Sequence, residues 1–135
     1  MISSRRGGYH LRVPSASSSS VLGLSLRCDH RAPRLARRAL EEVLDESPVL
    51  ENARLLASEL VNNAVLSSGC GADDIIRVVA HVDDGFLVIS VHDPGVAPRL
   101  PGSFGLRVLQ RLADRWGTES PDGHRVWAAL ALGAA

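Results

Sequence analysis

The sequence predicts an α+β fold: a two-layer sandwich with three helices on one face of a mixed, mostly antiparallel sheet. Apolar residues recur at helical spacing in three segments and alternate at strand spacing in others. Two of the strand pairs flank short Asp-Gly turns. The resulting order is strand, two helices, hairpin, helix, hairpin. At 135 residues the chain is long enough to bury most of one core.

Residues 1–20 read as a disordered tail, built around the low-complexity "SASSSS" and weakly basic through Arg5, Arg6 and Arg12. Partner docking is the alternative use for it. A single domain is expected over residues 21–135. "VLGLSLRC" alternates as a strand with Leu22, Leu24 and Leu26 on one face. Asp29 is placed to cap the first helix, with Pro33 near its first turn. That helix has a stripe of Ala32, Leu35, Ala36, Ala39, Leu40, Val43 and Leu44, and a charged outer face. Ser47-Pro48 suits the start of the second helix, which is expected to stop near Gly69.

"IIRVVAHV" and "FLVISVHD" flank Asp83-Asp84-Gly85, an antiparallel hairpin signal. "PGVAPRLPGSFG" reads as a loop. The third helix carries Leu106, Val108, Leu109, Leu112 and Ala113 and is expected to end at Gly117. Arg107, Arg111 and Arg115 would then form a row on its outer face, solvated or docking an acidic partner. "TESPDGHRVWAALAL" closes the chain as two strands about Asp122-Gly123.

Composition removes several function classes. Fifteen basic and fifteen acidic residues balance, which argues against a general nucleic-acid binder. All fifteen basic residues are Arg, so a P-loop, a Schiff-base enzyme and a lysine base are excluded. The five histidines show no HxxxH or HExxH spacing for zinc, and no GxSxG is present. His92 beside Asp93 points to the opposite face of a strand, so a metal dyad there is not expected. Cys28 and Cys70 lack metal-ligand spacing and are expected to be small buried thiols rather than a disulfide. No apolar run reaches membrane-spanning length. The start of the chain has no apolar stretch suited to secretion, and a cytoplasmic location is expected.

The polar exceptions to this plain pattern lie in the second helix. Leu56, Ala57, Leu60, Val61 and Ala64 form its apolar stripe. Counting about 100° per residue from Leu60, Asn63 falls at about −60° and Glu59 at about −100°, on the shoulder of that stripe. A carboxylate and an amide one turn apart beside a core need partners. "VHDPG" places Asp93 at a strand end and Gly95 in the following turn, and "GSFGL" opens the third helix with Gly105. An acid, an amide, a strand-end Asp and a glycine-opened helix suit a purine nucleotide with magnesium.

These segments resemble the ATPase superfamily shared by gyrase, histidine kinases and MutL, specifically its small anti-sigma-factor serine-kinase branch. "ELVNNAV" (Glu59 to Val65) is similar to the N box and "VHDPG" to the first glycine box. "FGLRVLQRLADRWG" resembles the second box with its helix, and "GHRVWAAL" the closing strand of actinobacterial members. The resemblance covers about residues 21–132 and implies the Bergerat-type, histidine kinase-like ATPase fold. It implies ATP and Mg²⁺ as cofactors, with Glu59 as the base and Asn63 as the metal ligand. Asp93 would read the adenine amine, with Gly95, Gly102, Ser103, Gly105 and Leu106 completing the nucleotide site. It also implies a serine/threonine kinase that sequesters a sigma factor and phosphorylates an antagonist protein. No direct nucleic-acid contact and no membrane are expected, and a homodimer is left open.

Departures from the pattern carry an alternative. Ser103 stands where the second box usually has its first glycine, and nine residues separate Gly95 from Gly105. Leu66-Ser67 replaces the usual Arg-His pair after the N box, and Arg125 stands where the closing strand commonly has a hydroxyl. The alternative is a catalytically degenerate partner-binding module on the same fold, with weak or no nucleotide binding.

Overall fold

The computed structural model describes residues 19–45, 47–95, 103–119 and 124–133. The elements in chain order are β1 (Ser19–Arg27), α1 (Ala32–Leu44), α2 (Leu50–Ser67), β2 (Ile75–Asp83), β3 (Phe86–Asp93), α3 (Ser103–Leu112), β4 (Arg115–Glu119) and β5 (His124–Ala131). The last two residues of the expected tail belong to β1; the rest of the tail, the loop at 96–102 and the turn at Asp122-Gly123 lie outside the described residues.

The five strands form one sheet in the order β1-β2-β3-β5-β4. Each described pairing is antiparallel, so the sheet, expected to be mixed and mostly antiparallel, is antiparallel across its described strands. Asp83 pairs with Phe86, which leaves Asp84 and Gly85 as the hairpin loop. Their φ angles of 55° and 82° are the two positive values of a type I′ turn, the geometry that matches strand twist.

The core lies between the helices and one face of the sheet. Ile76, Val78 and Ala80 of β2, Leu87, Ile89 and Val91 of β3, and Val126, Ala128 and Leu130 of β5 all point there. They meet Ala36 and Leu40 of α1, Leu56, Leu60 and Val61 of α2, and Val108 and Leu109 of α3. Phe86, Val88, Trp127 and Ala129 form a smaller cluster on the outer face. No helix among the described residues is long and apolar enough to cross a membrane.

Both helix starts shift from the sequence expectation. Asp29 Oδ1 accepts the Arg31 N–H at 2.9 Å, which ties the turn before α1 while Arg31 takes the cap position. Ser47 Oγ accepts the Val49 N–H at 3.4 Å, and α2 begins one residue later.

The third helix ends at Leu112 instead of Gly117, and Arg115–Glu119 is a strand. The Asp114 N–H donates to the Ala129 carbonyl at 2.9 Å and the Ala131 N–H to Asp114 Oδ2 at 2.7 Å. These bonds turn the chain into the sheet, where Trp116 pairs with Ala128 and is 4% exposed. The expected arginine row is therefore broken. Arg107 and Arg111 are exposed on α3, whereas the Arg115 guanidinium stacks 4.5 Å from the Phe86 ring centre on the sheet.

Cys28 and Cys70 are joined in a disulfide, which corrects the expectation of two thiols. Strand pairing brings them together: Arg27 pairs with Ile75, and the Cys28 N–H donates to the Asp74 carbonyl at 3.0 Å. The turn after β1 is thereby laid against the loop before β2.

Candidate functional site

Asn63, near the end of α2, and Asp93, at the end of β3, lie toward one end of the sheet. α2 ends at Ser67 and the chain returns through residues 68–74 to the first residue of β2. Arg77 near that end pairs with His92, so the start of β2 lies beside the end of β3. Asn63 sits one turn before the end of α2, and α2 packs on β3. Asp93, the last residue of β3, pairs with His124, the first of β5. α3 then starts at Ser103, after residues 94–102.

The helical phase of α2 sorts its side chains as the sequence expects. Leu56, Ala57, Leu60 and Val61 are fully buried, Asn63 is 8% exposed and Glu59 is half-buried. Burial pushes the Glu59 carboxyl above its ordinary value of 4.5. A carboxylate so placed is a stronger base than one in water.

Asp93 alternates with Leu87, Ile89 and Val91, so it lies on the helix-facing side of the sheet, the same layer as Asn63. It is 3% exposed. The Gly95 N–H donates to Asp93 Oδ1 at 2.7 Å, and Gly95 itself is buried. His124 Nδ1 lies 3.4 Å from Asp93 Oδ2, and His124 is fully buried.

His124 is the residue that the sequence reading missed. The signal was present in strand alternation: Val126, Ala128 and Leu130 face the core, and two residues before Val126 stands His124. Arg125, a departure from the closing-strand pattern, lies on the outer face. There its guanidinium meets Glu119 at 3.1 Å, across the β4–β5 pair.

Ser103 and Gly105 fall in the first turn of α3, while Gly102 lies outside the described residues. Leu106 is half-buried and packs against the core. Among the described residues no group of three or more His, Cys, Asp or Glu side chains is arranged to hold a metal ion. A single amide ligand completed by phosphate oxygens is a different arrangement, and Asn63 is the residue of that kind.

No protein-family profile matches the chain, and no curated protein matches it. Among solved structures it is similar to the crystal structure of the RsbU and RsbW domains of Rv1364c from Mycobacterium tuberculosis. The identity is 26% and the TM-score 0.64, over 82% of this chain and 32% of that one. This chain thus spans about a third of that larger protein's structure. Three helices on a five-stranded antiparallel sheet are the architecture of an RsbW-like ATPase domain. The likeness supports kinship with anti-sigma-factor kinase-like domains at that coarse level.

Proposed function

We propose that this chain is an ATP-binding regulator of the anti-sigma-factor type, which sequesters a sigma factor and phosphorylates a serine or threonine of an antagonist protein. The observation that carries the reading is the buried Asp93 carboxylate at the end of β3, on the side of the sheet that α2 covers. The donor set fits a magnesium nucleotide in kind: a buried carboxylate, an amide oxygen, a second carboxylate and a helix N-terminus. When bound, ATP supplies the phosphoryl group and Mg²⁺ neutralises its charge.

The chain's own residues would divide the remaining work. Asp93 accepts from an exocyclic amine, and the Gly95 N–H holds that carboxylate from behind. Asn63 would hold the metal through its side-chain oxygen. The backbone N–H groups at the start of α3 face developing negative charge. Glu59, raised in basicity by burial, takes the proton from the attacking hydroxyl.

One observation favours the degenerate module instead: His124 already engages one oxygen of Asp93. A carboxylate offers about four lone-pair sites, so the Gly95 bond and the His124 contact do not by themselves exhaust it. Phosphate transfer from radiolabelled ATP to a purified antagonist, beside a sigma-factor pull-down, separates the readings. Glu59→Ala should lower transfer by about 10²–10⁴ while leaving nucleotide affinity and the sigma complex intact. Wild type that holds its partner but transfers no phosphate would identify the module.

A further inference from the structure

The carboxylate assigned to the purine amine is itself held by a residue that this assignment does not use. Asp93 and His124 are cross-strand partners on the helix-facing side of the sheet, 3% and 0% exposed. Gly95 N–H donates to Oδ1 at 2.7 Å, and His124 Nδ1 stands 3.4 Å from Oδ2. Both oxygens of one buried carboxylate are thus engaged by the protein, which restricts its rotation.

We infer that His124 is a positioning residue for base selection: its Nδ1–H donates to Asp93 Oδ2 and fixes the carboxylate as an acceptor toward 6-aminopurines and against 6-oxopurines. The inference rests on the nucleotide-binding reading above. Adenine presents a donating amine where guanine presents an accepting carbonyl. A fixed acceptor pairs with the first and sets lone pair against lone pair with the second. With the Nδ1 donor gone, Oδ2 loses that restraint and can take a proton and donate to the guanine carbonyl. Losing His124 should therefore erode the choice between bases. A histidine that only filled space would, when replaced, weaken both nucleotides alike.

The test titrates the full chain with ATP and with GTP, both with Mg²⁺, for wild type, His124→Asn and His124→Gln. Circular dichroism and a thermal melt confirm that each is folded. Asparagine carries a donor at the reach of Nδ1, and glutamine carries it one bond further out. His124→Asn should keep the ATP preference of wild type to within about twofold, whereas His124→Gln should lose about tenfold of the ATP/GTP ratio. Nitrogen-15 NMR of the nucleotide-free wild type should show the imidazole proton on Nδ1, a readout that stands even if a variant fails to fold. An unchanged ratio in folded His124→Gln, or an Nδ1 without its proton, overturns the inference alone. Wild type that binds neither nucleotide overturns the proposed function and this inference with it.

Discussion

On the helix-facing side of the β3–β5 ladder, Asp93 and His124 pair across the strands at 3% and 0% exposure. One residue away on the outer side, His92 and Arg125 are cross-strand partners too, and both are only half-buried. The two pairs share strands and register and lie on opposite faces of the sheet. On the inner face water is excluded, so each polar atom needs a protein or ligand partner. On the outer face Arg125 meets Glu119 with 31% and 18% of the two side chains exposed, and solvent shares the load. The difference teaches that, at this end of the ladder, the face a residue points to decides whether it lies against α2 or against solvent.

The sharpest way to break this comparison is to truncate both sides. His124→Ala removes one partner of a buried pair and should cost about 3–5 kcal/mol of stability in urea unfolding. Arg125→Ala removes one partner of a partly exposed pair and should cost only about 0.2–1 kcal/mol. Equal losses from the two variants would erase the distinction between the faces.

A smaller effect sharpens the picture of the edge where Asp93 sits. The Cys28–Cys70 disulfide closes a loop of sequence separation 42 and ties the turn after β1 to the loop that follows α2. Its reduction should cost about 2–4 kcal/mol, read as a lower melting temperature with dithiothreitol than without. A double Cys→Ser variant that melts with the oxidised protein would show that the edge holds without it.

The outer face makes a third, weaker prediction through His81, which is 6% exposed and whose Nε2 has no hydrogen-bond partner among the described residues. Burial holds its pKa below the ordinary 6.5, and the Asp83 charge opposes that shift. The unfolded chain therefore binds more protons just below pH 6.5, so this contribution is complete above that pH and is lost as the pH falls further. His81→Gln should flatten the dependence of melting temperature on pH between about 7 and 5. An unchanged slope would mean that another group sets it.

Much of the inner face was legible in the sequence because periodicity reports burial directly. The phase of α2 separated Asn63 from Glu59, and Asp84-Gly85 announced the type I′ turn through its need for positive φ. The start of β4 was not legible, because Arg115 continues the helical spacing of Arg107 and Arg111, although the strand itself was expected from Thr118. The disulfide depends on β1–β2 pairing between segments far apart in the chain, which no local pattern encodes. His124 was hidden for a subtler reason. The motif drew attention to Arg125, and only strict alternation back from Val126 shows that its neighbour faces Asp93.

The most direct test of the proposed function is calorimetric titration of wild type and Asp93→Asn with ATP, with and without Mg²⁺. An asparagine amide can donate where the carboxylate accepts, so the variant should lose about 1–3 kcal/mol of binding free energy. The wild type should bind saturably and more tightly with Mg²⁺. No saturable binding at millimolar ATP, or binding indifferent to Asp93→Asn, would contradict a nucleotide site at this edge of the sheet.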